Sequence, residues 1–247
     1  LEEGDFALSI SGGVATIGSA TPTSISRTSQ SVWVLGFSTS VPANGAETIA
    51  VVPAAGNSIY DAAANAAATS QSNNTVALND LAVPIISGTT VNSANSEVTV
   101  TFAENVYKAT DGSGDLEVGD FALSISGGVA TPVSATPTSI VKTSQSVWVL
   151  GFSTSVPANG AETITVAPVS NSIYDESGNV AATSQSNNTV RLNDKAVPII
   201  INATSNFNNT EMTVTFSENV YNTNGGSGLL EEGDFALSIS GGVATIG

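Results

Sequence analysis

Apolar and polar residues alternate along short stretches of this chain. Val98, Val100 and Phe102 are separated by Thr99 and Thr101, the period-two pattern of a strand with one buried face. Phe121, Leu123 and Ile125 alternate with Ala122, Ser124 and Ser126, and Ile164 and Val166 with Thr163 and Thr165. Thr189-Val190-Arg191-Leu192 reads as one more such run. Between the runs lie Gly127-Gly128, Pro137, Pro157-Ala158-Asn159-Gly160 and Ser177-Gly178-Asn179, all turn formers. A helical period is nearly absent. The pattern predicts an all-β chain of short antiparallel strands arranged in two packed layers.

One run is apolar on both faces. In Val147-Trp148-Val149-Leu150-Gly151-Phe152 one face must fill a core, and the other must be covered or exposed. A crossing segment such as Thr136-Pro137-Thr138 would cover it within the unit. Left open, the strip would be a contact surface between chains.

The pattern repeats. Phe6, Phe121 and Phe235 occupy the same phrase, GDFALSISGGVAT, at spacings of 115 and 114 residues. Trp33 to Phe37 returns as Trp148 to Phe152, and Thr101 to Tyr107 as Thr215 to Tyr221. Leu230 to Gly247 duplicates Leu1 to Gly18 without a change. A period of this length is that of a domain, well above that of solenoid repeats. The expected pieces are an incomplete unit at 1–79, a complete one at 80–193, and the opening strands of a further one at 194–247. Residues 194–229 of one copy would complete the sheet of residues 1–79 in the next, whether covalently linked or in a neighbouring subunit.

Charge narrows the partners. The chain has 21 acidic and 5 basic residues and no histidine, a net charge of −16, which repels nucleic acid and anionic membrane surfaces. No apolar run approaches the length of a membrane helix. There is no cysteine, so disulfides and thiolate metal sites are excluded.

The opening Asp194-Lys195-Ala196-Val197-Pro198, the strand Val214-Thr215-Phe216-Ser217-Glu218 and the closing Tyr174-Asp175-Glu176-Ser177-Gly178-Asn179 are three distinctive phrases. Together they resemble the bacterial Ig-like repeats of adhesins and S-layer-associated proteins. The resemblance implies tandem antiparallel Ig-like β-sandwich domains forming an extended rod on a bacterial exterior, often stiffened by calcium. The first unit departs from the pattern, with Ala64 where Gly178 stands. A turn requiring positive φ would be strained there.

Calcium is the expected cofactor, because carboxylates, Asn side chains and turn carbonyls are the hard oxygens it takes. The candidate ligands are Asp80 and Asp194 at the unit boundaries, and Asp175, Asn179 and Asp61 in loops. Glu104, Glu218, Asp120 and Asp5 flank strand ends. The competing reading is that Asp175 and Asn179 only cap a turn. Asn-x-Thr triplets at Asn73, Asn187, Asn202 and Asn208 are frequent by chance in so Asn- and Thr-rich a chain. Catalysis is not expected: there is no imidazole or thiol, and acid pairs such as Glu2-Glu3 point to opposite faces of a strand.

The expected function is the non-catalytic stalk of an extracellular bacterial surface adhesin, joined end to end to neighbouring repeats or identical chains. A surface glycan or protein receptor would be its target. The alternatives are a self-assembling filament or sheath subunit joined by strand complementation, and a carbohydrate-binding module. The last would need an exposed platform among Trp33, Trp148, Tyr60, Tyr107, Tyr174 and Tyr221.

Overall fold

The computed structural model describes residues 1–242, so the last five residues of the terminal repeat lie outside the described residues. The chain is all-β, with antiparallel sheets and no α-helix among the described residues. Strands β1 (Phe6–Ser11), β2 (Ser24–Arg27), β3 (Trp33–Gly36), β4 (Thr48–Pro53) and β5 (Thr75–Ala77) come first. They form a three-stranded sheet, β1-β4-β5, and a hairpin, β2-β3.

The middle of the chain carries seven strands. These are β6 (Ile86–Val91), β7 (Glu97–Phe102), β8 (Phe121–Ser126), β9 (Ser139–Ser144), β10 (Val147–Gly151), β11 (Thr163–Pro168) and β12 (Thr189–Arg191). They form a four-stranded sheet, β6-β7-β10-β9, and a three-stranded sheet, β12-β11-β8. The chain ends with a hairpin of β13 (Ile200–Ser205) and β14 (Met212–Phe216).

The alternation seen in the sequence produces these pairings. In β7, Val98, Val100 and Phe102 are buried while Thr99 and Thr101 are half-buried on the other face. Ile164 and Val166 of β11 do the same, with Thr163 and Thr165 turned away. The inward residues of both sheets belong to one cluster of eighteen buried side chains, all between Ile86 and Leu192. Phe102 and Phe121 pack across it with ring centroids 6.4 Å apart.

The doubly apolar strand β10 is resolved by the same core. Trp148, Leu150 and Phe152 are buried, and Val147 and Val149 are half-buried. The indole Nε1 donates to the Gln145 carbonyl at 3.2 Å, and the Lys142 ammonium lies 5.7 Å from the ring centroid. Thr138 runs beside the strand end, its N–H donating to the Gly151 carbonyl. In the middle of the chain the tryptophan strip is therefore core and not a contact surface.

The flanking stretches bury less. Among residues 1–79 the buried apolar side chains are Leu8, Ala15, Ala43 and Ile49, together with Pro53 and Pro22. Trp33, which corresponds to Trp148, is only half-buried. Replacing Trp148 by alanine is expected to cost about 3–5 kcal/mol, the usual penalty for emptying a large aromatic site. The same change at Trp33 should cost well under half of that. Urea denaturation followed by hydrogen exchange on β7 and β4 measures both.

Candidate metal centre

The loops at one end of the seven-stranded region meet the segment before it. Asp80 lies just after β5, Glu104 follows β7, and Asp175 lies between β11 and β12. Each offers a carboxylate oxygen, and these lie within 4.8 Å of one another. Asp175 is buried; Asp80 and Glu104 are half-buried. A cleft lined by Asn44, Gly45, Asp80, Glu104, Asn105 and Glu176 opens at the same place.

Asp175 is fixed by its own turn. Its Oδ1 accepts from the backbone N–H groups of Ser177 (2.9 Å) and Asn179 (2.8 Å), and its Oδ2 from Asn179 Nδ2 (2.8 Å). The turn closes through Gly178 at φ +84°, and a Cβ there would stand 2.7 Å from the Thr110 carbonyl. Asn179 Nδ2 also donates to the Asp80 carbonyl at 3.2 Å, which ties the turn to the boundary segment. Asp80 in turn accepts from Ala82 N–H at 3.0 Å. The turn reading and the metal reading of these residues are thus compatible, because capping Asp175 places it.

The electrostatics of the cluster are unfavourable without a cation. Burial, and then the charges of Asp175 and Asp80, push Glu104 up to about 7. Burial also raises Asp80, with Asp175 and Glu47 adding to it. Asp80, Glu104 and Asp175 form a possible acidic metal-binding cluster of hard oxygen ligands.

The other candidates lie elsewhere. Asp61 sits in the counterpart of the Asp175 turn, accepting from Ala63 N–H, Asn65 N–H and Asn65 Nδ2. Asn65 holds its carboxyl below the ordinary value. Ala64 does occupy positive φ, at +66°, a conformation that costs an L-residue about 1 kcal/mol. Asp194 and Glu218 occupy the positions of Asp80 and Glu104 one period later, and no third acid joins them among the described residues. Asp120 is buried away from the cluster. Its Oδ2 accepts from Glu117 N–H at 2.7 Å, closing a capping box on a single 3₁₀ turn over Val118–Asp120. Asp5 does the same for Glu2.

A pair of residues that the pattern of the sequence does not single out shapes the two loops that meet the segments following β5 and β12. Glu162 is fully buried, and its carboxylate accepts from the N–H groups of Val129 (2.7 Å), Ala130 (2.9 Å) and Asn159 (3.0 Å). Burial raises its pKa, but these donors outweigh that and leave it below the ordinary value. Glu47 repeats the arrangement with Val14, Ala15 and Asn44. The Ala15 N–H contributes most to its lowered pKa. Gly127-Gly128 make room: a Cβ on Gly128 would lie 2.2 Å from the Glu162 carboxylate. The readable signal is the repeated Pro-Ala-Asn-Gly-Ala-Glu phrase at 42–47 and 157–162.

These loops receive the following segment. The Ala43 carbonyl accepts from Leu81 and Ala82 N–H at 2.8 and 3.0 Å. The Ala158 carbonyl accepts from Lys195 and Ala196 N–H at 2.7 and 2.8 Å. The same junction is therefore built twice, 115 residues apart on one side and 114 on the other.

No protein-family model, curated protein or solved structure matches the chain.

Two outcomes are expected. Glu162→Ala should cost about 3 kcal/mol, because it leaves buried N–H donors without a partner, and should loosen exchange protection at Lys195 and Ala196. Glu104 supplies a pH dependence whose sign follows from its raised value. Its contribution is fully present below about pH 4.5 and is lost as pH rises through about 7. In chelator, calorimetric melting temperature should fall between pH 5 and 8, and Glu104→Gln should flatten that fall.

Proposed function

We propose that the chain is a segment of a mechanical rod on a bacterial exterior, a stalk of tandem Ig-like β-sandwich units clamped at their junctions by calcium. The observation that carries this reading is the junction that occurs twice. Two consecutive boundaries use the same loop, the same buried glutamate and the same pair of backbone hydrogen bonds, with no Gly/Ser linker between. A slack connector would bring neither the regularity nor the bonds.

The strand order supports the Ig-like part. Taken as strands A to G, β6 to β12 form sheets A-B-E-D and C-F-G, the order of a constant-type Ig sandwich. The shared core between these sheets agrees with it.

Calcium suits the acidic cluster better than a smaller ion. Three carboxylates with nearby turn carbonyls and an open cleft provide several oxygens in irregular geometry. Calcium accepts such geometry, whereas magnesium demands a near-ideal octahedron. Sites of this kind in extracellular modules bind with dissociation constants of roughly 10⁻⁴ to 10⁻³ M, so millimolar external calcium would fill them.

The test is a melting experiment on the 247-residue chain. Calcium at millimolar concentration should raise the melting temperature of the seven-stranded region by several degrees, magnesium less, and Glu104→Gln should abolish the shift. Identical curves in calcium and in excess chelator would remove the clamp from the reading. Small-angle scattering should show a particle several times longer than wide.

A further inference from the structure

Three asparagines in this chain are followed by glycine: Asn44, Asn159 and Asn224. The nitrogen of the next peptide can attack an asparagine carboxamide, and glycine obstructs that attack least because it carries no Cβ. The first two pairs lie in the loops that hold the junctions. The third, Asn224-Gly225, takes part in neither junction.

Both junction loops fold the asparagine side chain back over its own peptide. Asn159 Oδ1 accepts from Ala161 N–H at 3.1 Å, and Asn44 Oδ1 from Ala46 N–H at 3.2 Å. Such a bond closes a ring that contains both the carboxamide carbon and the intervening glycine nitrogen. Holding the two reacting atoms in one small ring removes much of the entropy cost of bringing them together. The donor also points at the oxygen on which charge develops when the nitrogen adds. The Gly45 and Gly160 N–H groups have no acceptor among the described residues, so the attack breaks no hydrogen bond. Asn44 and Asn159 are exposed to the water that completes the reaction.

The junction itself requires the glycine. Gly45 and Gly160 have φ +80° and +76°. A Cβ on them would stand 3.3 and 3.1 Å from the Cβ atoms of Asp80 and Asp194.

We propose that Asn44 and Asn159 are self-modifying sites, whose conversion to isoaspartate releases the segment bonded to each loop. The glycine nitrogen loses its proton to water and adds to the carboxamide carbon. The bond from that carbon to Nδ2 then breaks, and Nδ2 leaves as ammonia, giving a five-membered succinimide. Water opens the ring at one of its two carbonyls. Opening at the side-chain carbonyl gives aspartate; opening at the main-chain carbonyl gives isoaspartate, with the main chain now running through Cβ and Cγ. Water is consumed and ammonia released, and nothing is oxidised or reduced.

The consequence follows from where the loop stands. The Ala158 carbonyl, which accepts from Lys195 and Ala196, lies one peptide before Asn159, and Ala43 stands in the same relation to Asn44. Isoaspartate inserts a main-chain carbon where Gly160 and Asp194 approach closely. The new carboxylate also arises beside a buried one. Asn159 Oδ1 and the Glu162 carboxylate both face Gly128, as Asn44 Oδ1 and the Glu47 carboxylate face Gly13. Both changes push the loop off the segment it holds. The proposal depends on the two hydrogen-bonded junctions alone; neither calcium nor the Ig-like arrangement enters it.

The experiment warms the 247-residue chain for weeks at mildly alkaline pH. Peptide mapping locates isoaspartate while hydrogen exchange follows the junction amides. Isoaspartate should appear at Asn44 and Asn159, and protection of Leu81, Ala82, Lys195 and Ala196 should fall about tenfold in the converted fraction. Conversion should slow at mildly acidic pH, because the nitrogen attacks in its deprotonated form. Asn159→Gln, which would need a six-membered ring, should keep Lys195 and Ala196 protected through the same treatment while Leu81 and Ala82 still loosen. Asn44→Gln should do the reverse. Each variant is compared with its own unwarmed sample, so a change in starting stability does not enter. Conversion in the urea-unfolded chain but not in the folded one would show that the fold shields these sites, and would overturn the proposal. Conversion with undiminished protection would overturn the release, as would equal loosening of both junctions in Asn159→Gln.

Discussion

A carboxylate buried beneath each junction governs how one segment meets the next. Glu47 and Glu162 each collect three backbone N–H donors from two separate loops. Hydrogen bonds to a charged acceptor contribute roughly 1.5–3 kcal/mol each, and removing the acceptor leaves donors buried and unpaired. The carboxylate therefore holds the Pro-Ala-Asn-Gly loop in one shape, and that shape aims the Ala43 or Ala158 carbonyl at the next two amides. The paired glycines at 12–13 and 127–128 follow from this closeness, since side chains there would meet the glutamate or the backbone of the facing loop. The geometry of the contact thus begins with a buried charge, and not with the residues that cross from one segment to the next.

The acidic cluster adjoins the Glu47 loop at Asn44 and Gly45 and has the opposite character. Glu47 is stabilised in its charged form, whereas Glu104 is pushed toward its neutral form. Two unit charges about 4 Å apart repel by about 1 kcal/mol in water and about 4 kcal/mol at the dielectric typical of a protein surface. Three such groups held together by a fixed turn and a fixed boundary cannot relax apart cheaply. A proton on Glu104 relieves part of the repulsion, and a divalent cation would relieve more. Asp80 follows β5 while Glu104 and Asp175 belong to the seven-stranded region, so this repulsion acts where the two stretches meet.

Much of this was legible in the residues, and the exceptions have physical causes. The strands at Val98–Phe102, Phe121–Ile125 and Thr163–Val166 announced themselves by alternation. Asp80, Glu104 and Asp175 were among the acids marked as ligands, but spacing could not separate them from Asp120, which caps a 3₁₀ turn through Glu117 N–H. The distinction depends on which loops converge at one end, and that is a property of topology. Glu162 was missed because an isolated glutamate after Gly-Ala reads as solvated. Only its recurrence with the paired glycines marks it as structural.

The phrase Phe-Ala-Leu-Ser-Ile-Ser shows how far local sequence reaches. It occurs at 6–11, 121–126 and 235–240. At the first two places it is a strand, paired residue for residue with β4 or β11. At the third no partner strand is present among the described residues, and it is not a strand. Its leading phenylalanine is 1% exposed at 121 and 40% exposed at 235, although the preceding 3₁₀ turn and its capping box form in all three copies. The turn is therefore encoded locally, while the strand is conferred by the neighbour that supplies hydrogen bonds and an apolar face. A chain made of such phrases settles its structure only as far as its complements are present.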